Sequence, residues 1–221
     1  PIRVIHAFPQ LELAAAYSKT KLNSMILSSI QTGDGKPGSK SKSYMQSLLD
    51  TSSATNDSLH FKQFINGNHI WIESTGLDAD RIMGRTADVI FFDEVQKTTG
   101  QAIGNALKIL NTAKYGRSSK GVQVFFGTPR RKGSDFHKMW QSSSQQYYYL
   151  GCESCKKHFP LYTPGSDEWE KIWLHGFIVK CTHCGFEQDK RQAAERGKWV
   201  GLKDPGDEDC KMIGFHINQI Y

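Results

Sequence analysis

VIFFDEVQ, residues 89–96, sets four apolar residues directly before Asp93 and Glu94. A short continuous apolar run of this kind reads as a strand buried on both faces, as in a parallel sheet. Open α/β sheets bind their ligands at the carboxyl ends of the strands, which is where the two acids fall. Two carboxylates at such an end suit the hydrolysis of a nucleotide. The first, Asp93, would hold Mg²⁺, usually through its water shell. The second, Glu94, would orient and polarise the attacking water. The plainer alternative is a strand that ends in a solvated acidic turn.

The neighbouring segments extend the pattern in both directions. GVQVFFG, residues 121–127, is a second continuous apolar run, expected like 88–93 to be a buried central strand, with a helix over 99–113 between the two. It leads into GTPRRKGSDFHKMW, residues 127–140, followed through a helix expected over 132–143. Gly127 and Thr128 therefore belong at the same sheet edge as Asp93, one strand–helix–strand unit later, where a hydroxyl can sense a terminal phosphate. The alternative there is a turn that is merely rich in Gly and Pro.

Upstream, residues 2–8 read as a strand stopped by Pro9, and residues 10–26 carry a helical apolar pattern. The Ser-, Gly-, Lys- and Thr-rich stretch 28–58 reads as a mobile loop with one helical turn near Met45–Leu49. Strands at 59–65 and 69–74 flank Asn66-Gly67, a hairpin signal. Strands alternating with helices predict an α/β layered domain with a largely parallel sheet. From Tyr147 the texture changes to Cys, Gly, Trp and short strands, which sets the expected domain boundary near residue 147.

Four of the five cysteines form two Cys-x-x-Cys pairs, Cys152/Cys155 and Cys181/Cys184, separated by 25 residues. This is metal-ligand spacing rather than a disulfide framework, and four thiolates can converge tetrahedrally on Zn²⁺ in a closed, structural site. Redox pairing is the competing use. Gly151 and Gly185 are expected to ease the turns, and Phe159 and Phe186 follow the pairs at a similar offset. With four thiolates available, His158 and His183 are unnecessary as ligands, and Cys210 is expected to be a free thiol.

Charge is unevenly divided. The chain carries a net +6, yet residues 151–221 hold 10 Lys and Arg against 11 Asp and Glu, while residues 1–150 hold 18 against 11. A polyanionic partner such as nucleic acid would meet the first part, although a solvated basic surface has the same composition. No run of about 18 uncharged apolar residues is present, which argues against a membrane span. The chain opens on PIRVIHAFPQ, with neither an initiator Met nor a signal peptide, so it is expected to be a piece of a longer protein of a reducing cytosol. The one near match to a phosphate-binding loop, GDGKPGSK at 33–40, has its Lys and Ser transposed and no apolar strand before it, and is rejected.

RTADVIFFDEVQ followed by GTPRRKGSDFHKMW resembles the ATPase core of tailed-phage terminase large subunits, the DNA-packaging motors, of the lambda-like kind with paired cysteines after the coupling motif. The approach segment DADRIMGRTAD (78–88), the opening IHAFPQLELAAAYSKTKL (4–21) and the ending GFHINQIY (214–221) extend the likeness loosely along the chain. The resemblance implies a partial RecA-like P-loop ATPase core over 1–146, a zinc ribbon over 147–211 and the start of a linker toward a nuclease domain over 212–221. It implies ATP, Mg²⁺ and Zn²⁺ as cofactors, Asp93 on Mg²⁺, Glu94 as catalytic carboxylate, and Gly127-Thr128 as the coupling motif. Arg81 and Arg85 become candidates for phosphate or interface contacts. Arg130, Arg131 and Lys132 become candidates for a DNA backbone or a neighbouring subunit's nucleotide, or else form a solvated basic turn. Double-stranded DNA, a portal, a small terminase subunit and a homo-oligomeric ring on the procapsid are the implied partners, in the host-cell cytoplasm and without a membrane. The family carries its phosphate loop ahead of the opening segment, so residues 1–221 alone are expected to be inactive. A superfamily-two helicase or translocase, and a non-catalytic zinc-containing DNA-binding adaptor, remain the alternatives.

Overall fold

The computed structural model describes residues 1–28, 31–32, 42–114, 121–161 and 172–217, with 31–32 and 42–43 as backbone alone. The chain divides into two compact units, Pro1–Phe136 and His137–Tyr221.

The first unit is built on a five-stranded sheet. Its strands are β1 (Arg3–Phe8), β4 (Phe61–Gln63), β5 (His69–Ser74), β6 (Val89–Phe92) and β7 (Val122–Phe125), in the order β4-β5-β1-β6-β7. β5, β1, β6 and β7 run parallel to one another, and β4 is antiparallel to β5. The mixed α/β architecture with a parallel core thus matches the alternation of strands and helices in the sequence. Ile5, Ala7, Ile90 and Phe92 alternate onto one face and are buried. On the other face Phe8 and Ile72 pack with Ala14, Leu13, Tyr17 and Leu22 of the helical segment that follows β1.

That segment is α1 (Leu11–Tyr17), a π-helical stretch (Ser18–Leu22) and α2 (Asn23–Ser28), so the expected helix is present with a widened turn in its middle. The Thr20 hydroxyl donates to the Ala16 carbonyl at 2.7 Å and the Ser24 hydroxyl to that of Thr20 at 2.7 Å. Side chains that bond back to the ladder in this way loosen helical winding. Within the Ser/Gly-rich stretch, residues 29–30 and 33–41, including the whole of GDGKPGSK, lie outside the described residues. The rest contributes β2 (Gln31–Thr32), β3 (Lys42–Ser43), α3 (Tyr44–Leu48) and a 3₁₀ turn at Ala54–Asn56. Gly67, at φ 82°, turns the β4–β5 hairpin, and its N–H donates to the Phe64 carbonyl at 2.8 Å.

Two expectations need correction. β7 is not a buried central strand: among the described residues it forms the edge of the sheet, with Val122 41% and Phe126 50% exposed. Its apolar run is genuine, but only its β6 side is paired. The helix expected from residue 132 begins only at Asp135, as α5 (Asp135–Gln141). Pro129 and a left-handed Gly133 at φ 80° keep the stretch before it out of a helix. Between β6 and β7 lies α4 (Gly100–Leu107), capped by the Thr99 hydroxyl and continued by a 3₁₀ segment to Thr112.

At the opposite, amino-terminal end of the strands, Asp88 joins three segments. Its carboxylate accepts from the Arg3 N–H at 2.9 Å, the Arg3 guanidinium at 3.0 and 2.9 Å, and the Lys114 N–H at 2.7 Å. Its carbonyl accepts from Val122 N–H at 2.9 Å. The Arg3 guanidinium holds the fully buried Asp88 carboxyl far below the usual carboxylate range, against burial that pushes it up.

The second unit contains β8 (Gln146–Gly151), flanked by β13 (Lys198–Val200) and β14 (Phe215–His216), with β9 (His158–Pro160) also paired to β8. A three-stranded sheet of β10 (Trp173–His175), β11 (Ile178–Lys180) and β12 (Glu187–Asp189) leads into α6 (Lys190–Glu195), whose amino end is capped by Asp189. Leu150, Phe159, Leu161, Val179 and Ala193 form its core together with Cys152 and Cys181.

Candidate functional site

In the first unit, the parallel register pairs Ala7 with Phe92 and Phe92 with Phe125, so the carboxyl ends of β1, β6 and β7 lie side by side. Asp93 extends the ladder, its N–H donating to the Ala7 carbonyl at 2.9 Å. Its side chain is one-third exposed. Oδ1 accepts from the Glu94 N–H at 2.8 Å, and Oδ2 lies 3.5 Å from His6 Nε2. His6 is buried among Phe8, Tyr17 and Phe91, and its Nε2 has no closer partner. Burial lowers the His6 pKa despite the opposing pull of Asp93, so the ring is neutral near pH 7. Burial, and then the Asp93 charge, raise the Tyr17 hydroxyl. Asp93 is thus a carboxylate with one apolar wall and one open side.

Glu94 breaks the strand. Its backbone sits in the left-handed region at φ 51°, ψ 37°, a conformation that costs a residue with a Cβ about 1–2 kcal/mol. Strain of this kind persists where the surroundings enforce it and is common at functional sites. The kink starts a 3₁₀ turn, Val95–Lys97, which folds two side chains back onto the Glu94 carboxylate. Gln96 Nε2 donates to Oε2 at 3.0 Å and Lys97 Nζ approaches the same oxygen at 2.7 Å. The Lys97 ammonium, helped by Arg130 and Gln96, holds the Glu94 carboxyl below its ordinary range, against burial that pushes it up. Glu94 is therefore an ionised carboxylate, better suited to orienting a water than to keeping its proton.

Gly127 and Thr128 stand at the end of β7 as the sequence predicts. The Thr128 N–H donates to Gln96 Oε1 at 3.2 Å. A Cβ on Gly127 would collide with the same Gln96 oxygen and crowd Val95 at 3.0 Å and Phe136 at 3.1 Å, so only glycine fits. Of the four candidate arginines, Arg130 is exposed and its charge reaches Glu94, while Arg131 is exposed on the same loop. Arg85 turns inward: it pairs with the buried Glu73 at 2.6 Å and stacks over Trp71 at 3.6 Å. Arg81 is exposed, and its carbonyl accepts from Arg85 Nε at 3.3 Å. The sequence reading missed Gln96, Lys97 and His6. Gln96 and Lys97 reach Glu94 locally, within the turn, but only the strand order reveals that Gln96 also reaches Thr128.

In the second unit, Cys152, Cys155, Cys181 and Cys184 bring their sulfurs within 4.8 Å of one another, and no other such group of ligating side chains occurs among the described residues. The Cys152–Cys184 and Cys155–Cys181 sulfurs lie 3.7 and 3.8 Å apart. A disulfide would require about 2.05 Å. Four sulfurs each about 2.3 Å from a common centre at tetrahedral angles stand about 3.8 Å apart. The donor set therefore fits Zn²⁺.

The two knuckles share one backbone design. Cys152 N–H donates to the Lys157 carbonyl at 2.9 Å and Lys156 N–H to the Cys152 carbonyl at 3.1 Å; Cys181 N–H donates to Phe186 at 2.9 Å and Gly185 N–H to Cys181 at 2.9 Å. N–H groups of Cys155 and His183 point at the Cys152 and Cys181 sulfurs at 3.5 and 3.4 Å. Lys156 at φ 60° takes the left-handed position that Gly185 fills at φ 74°.

Gly151 accordingly does not ease a turn. It lies in β8, where a Cβ would strike the Arg196 backbone. Nor are the two aromatics equivalent: Phe159 is fully buried, whereas Phe186 is 41% exposed and corresponds to Lys157. His158 and His183 bond to the carbonyls of Arg196 and His158 at 3.2 and 3.0 Å, and Cys210 donates to the Met212 carbonyl at 3.5 Å. Without metal, burial pushes the Cys181 thiol up to about 12. Burial also raises Cys152, but hydrogen bonds from Cys155 and the neighbouring thiols outweigh it and bring it to about 7.

No helix of the described residues is long and apolar enough to cross a membrane. No curated protein matches the chain. A family model does, over residues 1–199, so that it takes in both the strand-end carboxylates and all four clustered cysteines. The chain belongs to the family of the phage terminase large subunit gpA ATPase domain.

Proposed function

We propose that this chain is the Walker B and coupling portion of an ATP-driven motor that packages viral double-stranded DNA into a procapsid, within a terminase large subunit. In this reading residues 1–146 belong to a RecA-like ATPase core, 147–211 form a zinc ribbon, and 212–221 begin a linker. The observation that carries it is the strained Glu94 at the end of β6, beside Asp93 and next to the strand end that carries Gly127-Thr128. Bound Mg²⁺ would neutralise negative charge on the phosphates. Asp93 would hold Mg²⁺ through its partly exposed carboxylate, one oxygen of which lies 3.5 Å from His6 Nε2. Glu94 orients the attacking water through Oε1, since Gln96 and Lys97 both engage Oε2. Thr128 senses the terminal phosphate. Arg130 is the basic residue best placed to meet a phosphate, whereas the engagement of Arg85 with Glu73 and Trp71 favours a structural role for it.

The four cysteines would hold Zn²⁺ as a closed structural site that ties the two knuckles of this small unit together. Family membership supports DNA, portal and small-subunit partners and a host-cytoplasmic site of action; a homo-oligomeric ring on the procapsid completes the proposal.

The test uses the intact terminase large subunit. Glu94→Gln keeps the shape and removes the charge, so ATP turnover should fall by ~10²–10⁴ while nucleotide affinity survives. Asp93→Asn should weaken Mg²⁺-dependent binding as well as hydrolysis. Thr128→Ala should retain hydrolysis and lose DNA translocation. Near-normal turnover by Glu94→Gln would remove the chemical centre of this reading.

A further inference from the structure

One side chain touches both functional strand ends. Gln96 donates through Nε2 to the Glu94 carboxylate at 3.0 Å and accepts through Oε1 from the Thr128 N–H at 3.2 Å. The amide orientation is dictated by its partners, because flipping it would set NH₂ against N–H and oxygen against carboxylate. Gly127 is bare where this amide passes, and a Cβ there would collide with it. The left-handed backbone at Glu94 brings Gln96 back across the end of β6, so the strain at one residue serves the reach of the next.

We infer that Gln96 is a positioning residue that ties the Glu94 carboxylate to the Thr128 strand end, so that movement at either is transmitted to the other. This rests on the roles proposed above for Glu94 and Thr128. A planar amide bonded at both ends is a short, stiff link. When Thr128 shifts, the Thr128 N–H carries Oε1 with it and Nε2 redirects Glu94. Orientation of the carboxylate toward its water then depends on the state of the coupling strand. Lys97 grips the same Glu94 oxygen but, unlike Gln96, makes no bond to Thr128. It can anchor Glu94; the link to β7 runs through Gln96.

The experiment compares Gln96→Met and Gln96→Glu with Glu94→Gln and Thr128→Ala in the intact large subunit. Gln96→Met removes both bonds at similar volume. Gln96→Glu keeps an acceptor for Thr128 but cannot donate to Glu94. Measured are kcat and KM for ATP, DNA length moved per ATP, and the melting temperature.

Both Gln96 variants should lower kcat by about tenfold with KM within twofold, since positioning and not nucleotide contact is lost. Gln96→Met should also shorten the DNA moved per ATP. Should Gln96→Met fail to fold, Gln96→Glu carries the kcat test. Unchanged kcat and unchanged DNA per ATP, in a background where Glu94→Gln is inactive, would overturn the link alone. Normal turnover by Glu94→Gln would instead overturn the reading beneath it. A lowered melting temperature with kcat and the DNA-to-ATP ratio intact would make Gln96 a packing residue and overturn the link as well.

Discussion

The cysteine cluster and the acidic strand end are organised on opposite principles. Each cysteine knuckle is complete within about six residues: the same N–H···O=C pairs and the same left-handed fifth position recur at 152–157 and 181–186. The acidic site instead draws on three strands far apart in sequence, joined at their ends by His6, Gln96 and the Thr128 N–H. Local repetition makes a site that a ligand count can identify. Lateral assembly makes one whose wiring depends on which strands are neighbours.

The largest expected effect lies in the local site. Cys181→Ser should lose the metal and the cooperative unfolding of residues 150–200, because structural zinc contributes on the order of 10 kcal/mol. Cys210→Ser should keep both. Metal analysis with thermal unfolding checks this, and equal loss from both variants would break the contrast between ligand and bystander.

A second variant asks how much lateral assembly depends on the far end of the same strands. Asp88→Ala leaves the Arg3 guanidinium and two backbone N–H groups without their acceptor, which should cost about 3 kcal/mol. The Asp88 carboxyl is held well below its unfolded value of about 3.9, so its contribution is complete at neutral pH. It drains away as the pH falls below that value toward the folded one. Denaturant unfolding between pH 2 and 7 should therefore show an acid limb that is flattened in Asp88→Asn. An identical acid limb in the two proteins would mean that the Asp88 carboxylate does not staple Arg3 of β1 to the segment at Lys114.

The smallest effect is in stability and should be opposite in sign. Glu94→Gly removes the Cβ from a left-handed backbone and should leave the fold as stable as before, or up to about 1 kcal/mol more so. In the intact protein it should abolish turnover. A clear loss of stability would show that Glu94 is held by favourable contacts rather than imposed by its surroundings.

Much of this was legible beforehand, for identifiable reasons. VIFFDEVQ announced a central strand and its acids because burial on both faces leaves no polar position in the run. Asn66-Gly67 announced a hairpin because few residues accept φ > 0. The convergence of the four cysteines was readable because paired Cys-x-x-Cys spacing folds each pair into one knuckle. The widened turn at Ser18–Leu22 was hidden, because it arises from Thr and Ser hydroxyls competing for carbonyls that a periodicity count ignores. Apolar content alone placed β7 in the middle of the sheet, yet it cannot tell a paired strand from one with an open side. Gly151 looked like a turn residue because the sequence shows what glycine permits, not the Arg196 backbone that excludes anything larger. Gln96 lay in plain view, but its acceptor role is played to a residue 32 positions away.

The side of β7 left open among the described residues has a colloidal consequence. GVQVFFG, residues 121–127, is uncharged, rich in β-formers and free of proline, and its apolar side chains at Val122 and Phe126 reach solvent. An edge with these properties is a template for strands from other molecules, and neither a bulge nor a lysine within it acts as a gatekeeper. Solubility of the polypeptide should therefore depend on this edge as well as on its net positive charge. Whatever strand covers it, in this chain or in another, acts as a solubilising partner as well as a structural one.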